Sequence, residues 1–276
     1  RALYSHFFCK FLNQRSQIGI NRLKISFSKE EVNKYELSKI LLKKEKDTYF
    51  FNFEDPNHFV NDVIKLCYIR ENLGKIHITY RNDSIIENDT DLVTNKNIVF
   101  LLESPHKDEF EYEYEYTTDN GYQINNMIAF KPAEGSTGVN FNNYFLNIIN
   151  EIFKQSENED GNYNIIISNP IEIQTSLYFL HQNPIGSEKS IYNNLRNDVW
   201  SKVWNVYSGK EKVIQNQFYQ KIQSYNPYII VNCCTKYLSH TFLNTFLKTN
   251  FKNIKLYKTN HPSGWFSYKN RNVEII

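Results

Sequence analysis

The sequence predicts an α/β fold, a three-layer α/β/α sandwich in which helices cover both faces of a four-stranded, mostly parallel sheet. Short, continuous apolar runs are the first observation, because strands that are buried on both faces have this pattern. Segments with apolar residues three and four positions apart separate these runs, at residues 140–149 and 192–207. Such an alternation of strands and helices is typical of an open α/β/α sandwich. The runs are Ile98–Leu102, Ile165–Ile167, Tyr228–Val231 and the strand-like Ile254–Tyr257.

The apolar runs begin only near residue 97, and we therefore predict two regions in the chain. Residues 1–95 are expected to form an N-terminal helical and β-hairpin extension, and residues 96–276 the α/β domain. Within the extension, Lys75–Tyr80 is rich in β-forming residues and precedes the turn-rich residues 81–84. This pattern predicts one arm of a hairpin.

Two helices are predicted in the extension. Ser28 and Glu31 form a capping box, which predicts a helix from this point to about Lys46. A second helix is expected after Asp55 and Pro56, because Asp caps helices and Pro is favoured at the first helical position. The apolar residues at helical spacing in this second segment are Phe59, Val63, Ile64 and Cys67.

The composition excludes several classes of protein. With 276 residues, of which 41% are hydrophobic and 16% aromatic, the chain is neither dominantly disordered nor fibrous. Its apolar runs are all shorter than the roughly 18 residues that a membrane helix needs, so we expect a cytoplasmic protein with no membrane partner. Its 4 cysteines include no Cys-x-x-Cys pair. We therefore expect neither a disulfide framework nor a zinc or iron–sulfur site. The sequence shows no ligand set for another metal either, and we expect no cofactor.

Charge is distributed unevenly along the chain. Residues 201–276 hold 11 Lys and Arg residues against 2 acids, whereas residues 101–120 hold 7 acids and 1 Lys. A basic C-terminal third suits a partner with a phosphate backbone, since neutralised phosphates release condensed counterions. A solvated, lysine-rich surface explains the same bias, and on charge alone it is the better explanation.

Polar clusters follow three of the predicted strands, at residues 103–106, 168–170 and 260–265. The carboxyl ends of parallel strands meet at one edge of a sheet, where ligands bind in such folds. An acid, an amide and an imidazole at this edge together have the chemistry to activate water, recognise a base and stabilise a leaving anion. Each cluster alone also has a structural interpretation, as a helix cap, a turn before Pro or a hydrogen-bonding His.

Taken in order, these clusters resemble the motifs of the uracil-DNA glycosylase superfamily. Members carry Gly-Gln-Asp-Pro-Tyr or Gly-Glu-Ala-Pro-Gly after the first strand, then Gly-Leu-Ala-Phe-Ser with a Pro-rich or Gly-rich loop, Leu-Leu-Leu-Asn and His-Pro-Ser. The resemblance covers residues 97–268 and leaves the first 95 or so residues unexplained. The corresponding segments here are Leu102–His106, Met127–Pro132 with Gly135–Gly138, Ile166–Asn169 and His261–Ser263.

The resemblance implies a DNA glycosylase that flips a nucleotide out of the helix and cleaves its N-glycosidic bond. Phe130 would then stack on the flipped base, and Asn169 would recognise its Watson–Crick edge. His261 would donate a hydrogen bond to the negative charge that develops on the departing base. The ordinary alternatives are a core Phe, a turn-forming Asn and a structural His.

The resemblance also implies how DNA would be held. Ser136, Thr137, Gly138 and Ser263, with backbone N–H groups at helix N-termini, would contact phosphates. Either Trp265 or Phe266 would wedge into the gap that the flipped nucleotide leaves, unless those rings cover the core.

Two departures from the family motif alter the expected substrate. Ser104 stands where the uracil enzymes have the Asp that activates water, so either Glu103 acts as the base or the reaction relies on electrostatics alone. His106 stands where they have a Tyr that closes the pocket against a 5-methyl group, so a larger base is expected to fit. The iron–sulfur branch of the superfamily is excluded, because its cysteine spacing is absent here.

We therefore expect a monofunctional DNA glycosylase for a modified or damaged pyrimidine, one that removes hypermodified bases from foreign DNA such as that of a phage, in antiviral defence. A non-catalytic nucleic-acid-binding module on the same fold is the main alternative, because a retired enzyme would also lack the water-activating Asp. An α/β nucleotide hydrolase ranks last, since neither a Walker lysine loop nor a dinucleotide glycine motif is present. The alternating acidic and aromatic residues 109–116 predict a half-buried strand, either an insertion facing away from DNA or a gate near the pocket.

Overall fold

The computed structural model describes residues 22–37, 43–54, 62–72, 75–80, 84–85, 96–105, 109–117, 123–129, 135–155, 161–177, 189–238 and 242–276. The strands are β1 Arg22–Phe27, β2 Lys43–Glu45, β3 Thr48–Glu54, β4 Val63–Asn72, β5 Lys75–Tyr80, β6 Ser84–Ile85, β7 Lys96–Leu101, β8 Phe110–Thr117, β9 Gln123–Ala129, β10 Gly161–Ser168, β11 Tyr207–Ser208, β12 Glu211–Lys212, β13 Pro227–Asn232, β14 Lys255–Lys258 and β15 Glu274–Ile275. The α-helices are α1 Lys29–Lys34, α2 Gly135–Lys154, α3 Lys189–Trp204, α4 Val213–Ser224, α5 Lys236–Leu238 and α6 Asn244–Asn250. Two short 3₁₀ helices, Pro262–Gly264 and Tyr268–Arg271, follow β14.

Contacts divide the chain into two compact units that alternate along the sequence. The described parts of Asn61–Glu109, Lys131–Pro170 and Gln217–Ile276 form one, which we call the sheet unit. Those of Arg1–Val60, Phe110–Phe130 and Ile171–Asn216 form the second unit. The predicted boundary after residue 95 does not coincide with this division, because β4, β5 and β6 belong to the same sheet as the later strands.

The sheet unit is built on an eight-stranded sheet with the order β15-β14-β13-β7-β10-β4-β5, with β6 beside β4. The four central strands β14, β13, β7 and β10 run parallel, and the flanking strands pair antiparallel. Each of the four parallel strands forms at one of the predicted apolar runs. The mixed α/β class and the parallel core are therefore confirmed, although the sheet is larger than predicted.

Both faces of the sheet are buried. Helix α2 places Phe141, Phe145 and Ile148 against Phe100 on one face, in the spacing of an amphipathic helix. On the other face, Val99 and alternate neighbours in β7, β10 and β13 are also fully buried. The connections from β7 to β10 and from β13 to β14 move in opposite directions along the sheet, so right-handed crossovers place α2 and α6 on opposite faces.

Two predictions for the N-terminal helices need correction. The capping box is present, since Glu31 N donates to Ser28 Oγ at 3.2 Å and Ser28 N to Glu31 Oε2 at 2.8 Å. However, α1 ends at Lys34, and Glu36 has a left-handed φ of 51°, which interrupts a right-handed helix. Residues 43–45, which we expected to be helical, form β2 instead.

The second predicted helix is wrong over its described part. Val63, Ile64 and Cys67 lie in β4, which pairs antiparallel with β10 and β5. β-branched and aromatic residues such as those around Tyr68 favour a strand, and pairing with a distant segment overrides a short helical spacing. Asp55, Pro56 and Phe59 lie outside the described residues. The strand Lys75–Tyr80 is confirmed as β5, but it pairs with β4, which precedes it, and Ser84 of the predicted turn lies in β6, which also pairs with β4.

The second unit contains an antiparallel sheet in the order β1-β3-β2 and the two-stranded pairs β8-β9 and β11-β12. Lys202 of α3 forms an ion pair with Glu31 of α1, at 2.9 Å between Nζ and Oε1. The alternating acidic and aromatic segment forms β8, which confirms that it is a strand. Within the described ranges, no helix is both long and apolar enough to cross a bilayer.

Candidate active site

The carboxyl ends of the four parallel strands bring the predicted site residues to one edge of the sheet. Backbone hydrogen bonds continue just past the strand ends, from Leu102 N to Ser168 O at 2.9 Å and from Thr259 N to Asn232 O at 2.9 Å. Glu103, Asn169 and His261 leave the sheet directly after these positions. Neighbouring strands are about 5 Å apart. The order of the strands puts the end of β7, which Glu103 follows, next to the end of β10, which Asn169 follows, and two strands, about 10 Å, from the end of β14, which precedes the His261 turn.

A crevice is expected between the ends of β7 and β13. β7 connects through α2 to β10 on one side, whereas β13 connects to β14 on the other. Adjacent strands whose connections leave in opposite directions open a binding crevice at their carboxyl ends. Glu103 follows β7 at this place, is only 4% exposed, and its Oε2 accepts from the backbone N–H of Thr235 at 3.4 Å.

The thiol of Cys234 lies next to this carboxylate. Burial raises its pKa well above the usual value, and the negative charge of Glu103 raises it further. The thiol is hydrogen-bonded to the carbonyl of Leu102. Cys234 is therefore a protonated structural group rather than a nucleophile.

Asn169 presents the most distinctive polar group at this edge. Its side chain is 1% exposed, and neither the amide nitrogen nor the amide oxygen has a hydrogen-bond partner within the described part of the chain. A buried polar group left unpaired typically costs about 1–3 kcal/mol, so such groups are uncommon in folded proteins. The same edge holds three hydroxyl oxygens in the same condition, those of Ser168, Thr235 and Thr259.

His261 is half-buried, and contacts with Ser263 in the following turn fix its imidazole ring. The backbone N–H of Ser263 donates to Nδ1 at 3.3 Å, and Ser263 Oγ lies 2.9 Å from the same nitrogen. In the tautomer in which Nδ1 accepts from this backbone N–H, the ring proton is on Nε2, which is then a hydrogen-bond donor.

The structure separates the two candidate wedge residues. Trp265 is 0% exposed, packs against Phe100 and Phe141 with ring centroids 6.4 and 5.6 Å away, and donates from Nε1 to Asn260 O at 2.7 Å. The prediction that Trp265 is a wedge is wrong, because this ring belongs to the core. Phe266 is 67% exposed and stays a candidate.

The N-terminus of α2 lies against the His261 turn. Asn140 Nδ2 donates to Ser263 O at 3.2 Å. The first N–H groups of a helix have no acceptor within the helix and carry partial positive charge. Of the three predicted phosphate contacts on α2, Ser136 is exposed, whereas Thr137 and Gly138 are buried. Thr137 and Gly138 are therefore limited to backbone contacts.

The remaining predictions have mixed outcomes. Phe130 and His106 lie outside the described residues, and Ser104 is half-buried beside Glu103. The sequence analysis missed Thr235, although it follows the third apolar run and the same rule about strand ends would have found it.

Lysines of the basic C-terminal third are found at both ends of β14. Lys252 and Lys255 lie at the amino end of β14, and Lys255 Nζ donates to Tyr228 Oη at 2.8 Å. Lys258, at the carboxyl end, pairs with Glu274 at 2.9 Å. The lysines around β14 are therefore either at the opposite end of the strand from the candidate site or paired with an acid.

Comparison with protein-family models, curated proteins and solved structures finds no match to this chain. The function of this chain is therefore inferred from the residues and geometry of the site.

Proposed function

We propose that the protein is a monofunctional DNA glycosylase, which flips a modified or damaged pyrimidine out of DNA and hydrolyses its N-glycosidic bond. The observation that carries the proposal is the amide of Asn169, which is buried with both its donor and its acceptor unpaired among the described residues. A nucleobase edge offers an acceptor and a donor side by side, which is the complement of an amide. An imidazole donor and a carboxylate occupy the same sheet edge.

His261 would stabilise the leaving base. As the bond between C1′ and the base nitrogen breaks, both bonding electrons leave with the base, which becomes an anion. The Nε2 proton of the neutral imidazole would donate a hydrogen bond to that anion. A preorganised donor of this kind contributes roughly 10²-fold or more to the rate.

Glu103 would act at the sugar. The sugar gains oxocarbenium character as the base departs, and a buried carboxylate stabilises a nearby positive charge. Water then adds to C1′, and the carboxylate accepts the proton that the water loses. Since Thr235 N–H already orients one carboxylate oxygen, the group is held in place before DNA binds.

DNA would be held by groups around the same edge. Ser136, Ser263 and the first N–H groups of α2 would bind phosphates. Exposed Phe266 would fill the gap in the helix, and Phe130 would stack on the flipped base. With His106 in place of a Tyr that excludes 5-substituted bases, the substrate would be a bulky pyrimidine of foreign DNA, which the enzyme would meet in the cytoplasm. Membership of the uracil-DNA glycosylase superfamily is part of this proposal and is supported by the order of the four motifs.

A direct assay tests the proposal. The protein is incubated with duplex and single-stranded oligonucleotides that carry different 5-substituted, oxidised or deaminated pyrimidines, and alkali-labile abasic sites are measured with excess enzyme. We expect strand cleavage after alkali for at least one base and none without alkali. DNA binding with no abasic site for any base would refute the enzyme and support the non-catalytic binding module.

A further inference from the structure

A buried ion pair lies directly behind Asn169. Lys221 of α4 is 6% exposed, and its Nζ lies 3.1 and 3.2 Å from the two carboxylate oxygens of Asp62, which precedes β4. Tyr225 donates from its hydroxyl to Asp62 Oδ2 at 2.9 Å. Such a pair seldom stabilises a fold more than well-packed apolar residues of the same volume do. Its presence therefore calls for a second reason.

The lysine makes a further contact that suggests this reason. Lys221 Nζ donates to the main-chain carbonyl oxygen of Asn169 at 3.0 Å. Pro170 follows, and a residue before proline is restricted to extended backbone conformations. The main chain that carries the Asn169 amide is thus fixed by Pro170 on one side and by Lys221 on the other.

We infer that Asp62, Lys221 and Tyr225 form a clamp that positions Asn169 for base recognition. Base recognition by Asn169 rests on the proposed function, whereas the contacts that hold Asn169 do not depend on it. Lys221 does not act in the chemistry, because an ammonium bound to a carboxylate has no lone pair with which to attack or to accept a proton. It is a positioning residue that acts through Asn169.

A single substitution does not separate positioning from stability. Lys221→Met leaves the Asp62 carboxylate buried without its cation, so this variant is expected to unfold at a lower temperature. The triple variant Asp62→Leu/Lys221→Met/Tyr225→Phe removes all three polar partners together and keeps similar volumes. Its melting temperature is expected to return towards that of the unchanged protein.

The side-chain amide of Asn169 is the direct readout. Its NH₂ signals in a ¹⁵N-labelled sample are assigned by their loss in Asn169→Asp. In the triple variant we expect these signals to broaden or split, because the main chain at residue 169 loses its anchor. Asn232 of β13 is the internal control, since its side chain is buried and its Nδ2 donates to Asn244 Oδ1 at 2.8 Å, away from the clamp. Unchanged Asn169 signals in the folded triple variant would overturn the inference.

Activity provides a second readout. The quantity compared is the ratio of the excision rates of the best and the next best base. In the triple variant this ratio should fall at least roughly tenfold, since small misplacements of positioning groups reduce rates strongly. If the ion pair is purely structural, the triple variant should recover both the melting temperature and the base selectivity of the unchanged protein. That result would also overturn the inference. If the Asn169 signals change but the unchanged protein excises no base, the clamp stands and the proposed glycosylase function fails.

Discussion

The adjacent aromatic residues Trp265 and Phe266 provide the sharpest test of the site, because the structure assigns them opposite roles. Trp265 is fully buried against Phe100 and Phe141, whereas Phe266 is two-thirds exposed. Replacing a buried Trp with Ala typically costs about 3–5 kcal/mol of the free energy of unfolding. The Asn260 carbonyl also loses its indole donor, but Asn260 is exposed and water replaces the lost hydrogen bond.

Phe266→Ala is the matched substitution. Loss of an exposed ring should change the free energy of unfolding by no more than about 0.5 kcal/mol. If Phe266 fills the gap in DNA, its loss should weaken binding to a duplex with an abasic-site analogue by about 1–3 kcal/mol, the usual contribution of a stacking ring. Trp265→Phe retains part of the packing and should fall between Trp265→Ala and the unchanged protein in stability.

Urea unfolding followed by circular dichroism gives the stability of each variant, and fluorescence anisotropy of a labelled duplex gives the affinity. Far-ultraviolet dichroism is preferred over fluorescence because it does not depend on the tryptophan that is removed. If Trp265→Ala keeps the unchanged stability and loses DNA affinity, Trp265 is the wedge after all and the packing argument is refuted. If Phe266→Ala binds DNA as tightly as the unchanged protein, Phe266 is not the wedge.

Three further predictions concern the chemistry, the unpaired hydroxyls and the DNA-binding surface. His261→Ala and Glu103→Gln should each lower single-turnover base excision, by roughly 10²-fold for the histidine, while dichroism and DNA affinity stay unchanged; normal excision by both variants would refute the assigned site. Thr235→Val should raise the free energy of unfolding by about 1 kcal/mol in urea titrations, because it removes an unpaired hydroxyl without altering shape, and a decrease would show that the hydroxyl has a partner. Ser136→Asp should weaken DNA binding by repelling phosphate, whereas Lys252→Glu, at the other end of β14, should leave it unchanged; the reverse ranking in anisotropy titrations would place DNA on the other edge. In both variants, a plot of log affinity against log salt concentration should have a slope of about −0.9 for each phosphate contact.

Strands with local signals were predictable, whereas those defined by distant partners were not. The run around Val99 predicts a strand because both faces are buried, so nearly every residue is apolar. β4 contains Lys65 and Arg70, which interrupt the apolar pattern, and its apolar residues also fit a helix. Pairing with β10, about a hundred positions away, determines its conformation. This information is absent from a short window of sequence.

The candidate site shows the same limit. A strand followed by a polar residue predicts the placement of Glu103 and Asn169, because topology alone brings parallel strand ends together. Burial of Trp265 depends on Phe100 and Phe141, which are distant in the chain, so the motif could not separate the core ring from the exposed ring beside it. Nor could the sequence show that Lys221 contacts the main chain of Asn169, since that contact joins α4 to a strand end.

The kind of group at each position of the edge follows from the energetics of burial. An unpaired neutral amide in the interior costs about 1–3 kcal/mol, whereas an unpaired charge costs far more, so recognition of a base is best assigned to an amide such as Asn169. The charge of Glu103 is tolerated in the interior because a backbone N–H from Thr235 supports it. In the proposed reaction, a neutral imidazole at His261 would add no positive charge near the sugar. The negative charge of Glu103 would then be complementary to the cationic sugar of the transition state rather than to the neutral substrate.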